Sequence, residues 1–190
     1  MKYLIAGLGN IGEEYRDTRH NIGFIILDTL ARTSGISFED RRYGFTSRLP
    51  YKGRTLILLK PSTYMNLSGR AVNYWLGKEK IPLSNLLVLV DDVALPFGQL
   101  RLRARGSHAG HNGLFSIQSV LGTQEYARLR FGIGDDFLYG QKVNYVLGEF
   151  HEEEQERLKQ KIEMCVEIIK SFVTIGVEQT MNLYNRKGSE

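Results

Sequence analysis

The chain holds one cysteine, Cys165, and four prolines in 190 residues. A single thiol excludes an internal disulfide framework and fits a reducing cytoplasm. It falls in an apolar helical stripe, where it reads as core filler rather than as a nucleophile. No cysteine pair and no H-E-x-x-H spacing occurs, so no motif asks for a metal, and no cofactor is expected. No apolar run approaches membrane-spanning length, and the start, Met1 to Gly7, is too short and glycine-punctuated for a signal peptide. A serine in a G-x-S-x-G elbow is also missing, which disfavours a covalent acyl-enzyme. No linker, low-complexity run or repeat interrupts the chain, and 42% hydrophobic content predicts one domain over residues 1–190.

What is abundant is local positive charge. Residues 41–105 carry twelve Lys and Arg against Glu79, Asp91 and Asp92, an excess of nine in a chain whose formal net charge is +4. Such asymmetry inside one domain points to a polyanionic partner, nucleic acid being the natural candidate.

Hydrophobic periodicity predicts strands at 2–7, 42–49 and 54–60, the last two joined at Lys52-Gly53, and at 86–90 and 127–133. Helices are predicted over 21–33, 67–77, near 114–121, and in a long run from about 152 with apolar residues at Leu158, Ile162, Cys165, Ile169 and Phe172. Leu100, Leu102 and Ala104 alternate with Arg101, Arg103 and Arg105, the pattern of a strand with one basic face. Residues 106–113 read as a glycine-rich loop, 134–150 as a surface loop that its glycines would allow to act as a lid, and 144–148 as a short extended piece within it. Alternating strands and helices predict an α/β fold, a three-layer single domain whose mixed, twisted sheet is flanked by helices.

Four places set polar side chains after strands or in glycine-rich turns: Asn10 to His20, Tyr64-Met65-Asn66, Asp91, and His111-Asn112-Gly113. Each alone is ordinary turn or cap chemistry. Together at one sheet edge they make a site. His20 with Asp91 is a base and its orienter: neutral imidazole takes a proton from water, and a carboxylate on the other ring nitrogen sets the tautomer. The predicted helix start at His20 disfavours imidazolium while Asp91 favours it. Asn10, Asn66 and Asn112 are neutral amides suited to gripping peptide groups or polarising a carbonyl.

The runs Gly-Leu-Gly-Asn10, Thr-Arg-His20-Asn21, Lys60-Pro-Ser-Thr-Tyr64-Met65-Asn66, Asp91-Asp92, Gly-His111-Asn112-Gly113 and Arg128-Leu-Arg130-Phe-Gly-Ile-Gly134 resemble the bacterial peptidyl-tRNA hydrolase family over residues 2 to about 150. The resemblance implies a cytoplasmic, metal-free, monomeric esterase. It would cut the ester between a peptide and the 3′ ribose of tRNA, without touching membranes. It implies His20 as catalytic base, Asp91 as its stabiliser, and Asn10 in selecting N-blocked substrates. Tyr15, Tyr64, Met65, Asn66 and Asn112 would bind substrate, and Arg101 and Arg103, with Arg105, the tRNA backbone. Ile11, Tyr64, Val90, Ala94 and Ala109 depart from the family pattern.

Two rival readings are weaker. Gly7, Gly9 and Gly12 spell a dinucleotide fingerprint, but Asp28 lies inside a helical segment and Glu13-Glu14 would repel a pyrophosphate. A purely RNA-binding module explains the arginines but not the polar cluster.

Overall fold

A computed structural model describes residues 1–185. Seven strands form one mixed sheet: β1 Lys2–Gly7, β2 Glu39–Arg41, β3 Gly44–Tyr51, β4 Arg54–Pro61, β5 Leu86–Asp92, β6 Leu100–Arg103 and β7 Ala127–Gly132. Their order is β2-β3-β4-β1-β5-β7-β6. The centre β4-β1-β5-β7 is parallel, while β2, β3 and β6 add antiparallel edges. Lys52 and Gly53, both at positive φ, make the two-residue turn between β3 and β4.

Helices cover both faces: α1 Ile22–Thr33, α2 Ser68–Glu79, α3 Asn112–Leu121, α4 Lys142–Val146, α5 Gln155–Ile175 and α6 Val177–Tyr184. Alternate residues of one strand feed two cores. Tyr3 and Ile5 of β1 pack with α1 and α5, and Leu4 and Ala6 pack with α2 and α3. This is the three-layer α/β arrangement the sequence predicts. Cys165 is fully buried in the α1/α5 core, and burial pushes its thiol pKa up.

Three differences from the periodicity have physical reasons. Residues 144–148 are not extended: Tyr145 N–H donates to Gln141 O and Leu147 N–H to Val143 O, closing the short helix α4. The basic strand stops at Arg103, so Ala104 and Arg105 lie in a bend rather than on β6. The helix near 114 begins at Asn112, because the His111 imidazole accepts from the N–H groups of Gly113 and Leu114. The three-residue edge strand β2 and the helix α6 had no clear signal in the sequence.

The glycine fingerprint does packing work. A Cβ at Gly7 would lie 2.3 Å from Gly23 O, and one at Gly23 would lie 2.5 Å from Leu8 N. Bare backbone at both places lets α1 dock against the end of β1. Gly12, at φ 116°, turns the chain into a single helical turn at Glu13–Tyr15, and α1 starts only at Ile22. Gly23→Ala is expected to cost on the order of 1–3 kcal/mol through overpacking against backbone that has no rotamer to yield. Thermal denaturation of that variant checks this, and an unchanged midpoint would contradict the close approach.

Candidate active site

The carboxyl ends of β1, β4 and β5 share one sheet edge, the place where open α/β sheets build sites. β1 runs on to Asn10, β4 to Tyr64-Met65-Asn66, and β5 ends in Asp91-Asp92. His20 comes from the helical turn Arg19–Asn21 just ahead of α1, and His111 and Asn112 from the start of α3.

At the centre is Asp91, whose side chain is 3% exposed. His20 Nδ1 lies 2.8 Å from Oδ2 and 3.0 Å from Oδ1, and His111 Nε2 lies 2.9 Å from Oδ1. The network assigns the tautomers. His111 Nδ1 accepts two backbone N–H groups, so its Nε2 carries the proton and donates to Asp91. His20 likewise donates from Nδ1, which leaves its Nε2 lone pair as a free proton acceptor. Burial alone would push the Asp91 carboxyl up, but the two facing imidazoles and their hydrogen bonds outweigh it and hold it well below the usual carboxylate range.

Asn10 is equally constrained. Its backbone N–H donates to Asn21 Oδ1 at 2.8 Å, and its carbonyl accepts from Asn21 Nδ2 at 2.9 Å. Its own Oδ1 accepts Met65 N–H at 2.9 Å, so the Nδ2 donor is the part left for a ligand. Gly69, where a Cβ would lie 2.3 Å from Ser116 O, lets α2 and α3 cross closely, setting Asn66 near Asn112.

The cleft is a row of connected chambers. Asn10, His20, Tyr64, Met65, Asn66 and Asn112 line the middle one under a roof of Val143, Val146 and Leu147. His20 and Asn112 also face a neighbouring chamber with Asp91, His111, Arg130 and Lys142. The three asparagines and His20 thus meet in one groove, as the sequence predicts. Tyr15 does not join them: its ring lines neither chamber, and its carbonyl accepts from the Thr18 hydroxyl at 2.9 Å.

Four arginines share one face at the β6–β7 edge, Arg101 opposite Arg130 and Arg103 opposite Arg128. Like charges directly opposite repel, and the acid paired with this face among the described residues is Asp92, 3.6 Å from Arg130. Arg101 and Arg103 are half-buried, and Arg105 is exposed on the bend that follows.

The sequence reading gave no role to three groups here. His111 was read as part of a motif, not as the second ring on Asp91; its position after Gly110 and before Asn112 was the available signal. Arg128, fully buried, donates to the carbonyls of Gly106 at 2.7 Å and Gln124 at 2.6 Å and holds the loop that leads to His111. Arg19 donates to Tyr145 O at 2.9 Å and lies 4.1 Å from the Tyr145 ring centroid, tying α4 down beside His20.

One donor atom each from His20, Asp91 and His111 lies within 4.8 Å of the others, a spacing that could take a metal ion. In this arrangement, however, those atoms are engaged with one another in N–H···O bonds. A metal would have to displace those protons.

Because the folded-state acidity of Asp91 is increased, its stabilising contribution is present above the unfolded carboxylate range near pH ~4 and fades as pH falls below it. Asp91→Asn is therefore expected to be less stable than the parent at neutral pH, with the gap closing on acidification. Denaturation curves across pH 7 to 2.5 read this out; a gap independent of pH would refute the charged state of Asp91.

Comparison with known proteins is consistent along the whole chain. A family model described as peptidyl-tRNA hydrolase matches residues 4–190. The peptidyl-tRNA hydrolase of Phocaeicola vulgatus is 62% identical over 187 residues, covering 98% of this chain and 100% of that one. That of Bacteroides fragilis is 60% identical over 187 residues with the same coverage. The crystal structure of the Acinetobacter baumannii enzyme superposes with a TM-score of 0.90 at 35% identity, covering 96% of this chain and 94% of that one. The chain belongs to the peptidyl-tRNA hydrolase family.

Proposed function

We propose that the chain hydrolyses the ester joining a peptide to the 3′ ribose of tRNA, with a water molecule activated by His20. The observation that carries this reading is the His20–Asp91–His111 cluster, which leaves one imidazole nitrogen free between a groove of asparagine amides and a face of arginines. His20 Nε2 takes a proton from water as the oxygen attacks the ester carbonyl. The tetrahedral intermediate then expels the ribose oxygen, and the imidazolium returns the proton to it. Peptide acid and tRNA hydroxyl are the products, and the water atoms are divided between them.

Asp91 favours the imidazolium formed in the first step and holds its orientation. The Asn10 Nδ2 group, with Asn66 and Asn112, supplies neutral donors to the peptide carbonyls and to the oxyanion. Tyr64, 63% exposed, offers a ring at the rim, and Met65 shapes the floor. Arg101, Arg103 and Arg105 take phosphates of the tRNA backbone, the anion that relieves their mutual repulsion. The reading uses His20 as the base and has no step at a metal. It belongs in the cytoplasm, where translation produces the substrate, with the chain acting as a monomer. Among the described residues no helix is long and apolar enough to cross a membrane.

His20→Ala is expected to retain tRNA affinity while losing hydrolysis of N-acetyl-aminoacyl-tRNA by about 10²- to 10⁴-fold, the scale of general-base catalysis. Retained turnover would sink the role given to His20. In the second test, KM for full-length peptidyl-tRNA should rise steeply with salt, and Arg101→Gln with Arg103→Gln should flatten that slope by roughly 0.7–0.9 per phosphate contact removed. If the double variant keeps the parental salt slope, these arginines do not hold phosphates.

A further inference from the structure

Asn10 is a partition as well as a ligand. One side faces the middle chamber, and the other borders a third groove lined by Ile11, Phe24 and Phe45 together with Asp28 and Lys60. The partition is rigid, because both backbone groups of Asn10 are bonded to the Asn21 side chain.

The groove differs electrically from the opposite end of the cleft. Lys60 Nζ is 2.6 Å from Asp28 Oδ1 and sits 4.3 Å from the centroid of Phe38, 5.7 Å from Phe24 and 5.8 Å from Phe45. Its charge is matched by an acid and by ring faces. At the rim, Arg16 lies 3.3 Å from Glu13. The charges therefore cancel in pairs, leaving aromatic and aliphatic surface. At the far end Arg130 is paired with Asp92, but Lys142 and the β6 residues Arg101 and Arg103 have no acid partner among the described residues and present an excess of positive charge. A trench with a basic end and a neutral, apolar end imposes a direction on a substrate that is nucleic acid on one side of an ester and peptide on the other.

We propose that the groove beyond Asn10 binds the peptidyl residues upstream of the ester-linked one and prefers apolar side chains there, packed against Ile11, Phe24 and Phe45. This rests on the hydrolase reading above. The site selects by what precedes the last residue of the peptide, while Asn10 and His20 act on that residue itself. Ile11, 36% exposed, is the wall that can be changed with least disturbance to the core.

The test compares acetyl-Phe-tRNA with acetyl-Leu-Leu-Phe-tRNA and acetyl-Asp-Asp-Phe-tRNA. The parent chain is expected to show kcat/KM about tenfold higher for the leucine substrate than for the single residue, the scale of burying one apolar side chain, with no such gain for the aspartate substrate. Ile11→Asp, which charges the groove, and Ile11→Trp, which fills it, should both abolish the leucine advantage and leave acetyl-Phe-tRNA within about twofold of the parent. Equal kcat/KM for all three substrates in the parent overturns the proposal, and so does a variant that slows leucine and single-residue substrates alike. Failure of the parent to hydrolyse acetyl-Phe-tRNA would instead overturn the hydrolase reading, along with the proposal that rests on it.

Discussion

The buried carboxylate of Asp91 is the contact on which the site depends. Burying a lone charge is costly unless it is hydrogen-bonded, and Asp91 meets that cost with ring N–H donors delivered from opposite faces of the sheet. His20 arrives ahead of α1 on one face, and His111 begins α3 on the other. One carboxylate thus fastens two helix starts to the end of β5 and sets both tautomers. His111 uses its other nitrogen to cap α3, so helix geometry and active-site charge share one ring.

Close backbone approach is the second constraint. Gly7 and Gly23 bring α1 onto β1, and Gly69 brings α2 onto α3. These contacts leave no room for a side chain, and they place His20, Asn66 and Asn112 around one groove. The glycines that spell a dinucleotide fingerprint therefore do steric work between helix and strand. Gly12 leads only into the single helical turn at Glu13–Tyr15, whose two acids would repel a pyrophosphate, and α1 begins only at Ile22.

Around this centre the cleft is polarised. Arginines crowd the β6–β7 edge, where Arg128 is consumed by loop carbonyls and Arg101 and Arg103 remain for a ligand. Beyond Asn10 the charges pair off and aromatic surface takes over. Arg19 holds α4 over the middle, so the segment read as a plain surface loop becomes a roof.

Much of this was legible in the chain. Continuous apolar runs mark β1 and β5 because both their faces are buried, and helical repeats mark α1 and α5 because each buries one face. The polar runs after strands name His20, Asp91, Asn10, Asn66 and Asn112. The helix α4 was not legible, since five residues with mixed polarity carry little periodicity and its hold comes from Arg19, more than a hundred positions away. Nor was the pairing of both histidines with one carboxylate, or the ring of Tyr15 standing outside the chambers. Composition and local pattern determined which chemical groups the protein carries and which elements bear them, because those depend on near neighbours along the chain. Which lone pair stays free, which charges cancel and which remain for a ligand were decided only by the tertiary structure, because they depend on distances of a few ångströms between residues far apart in sequence.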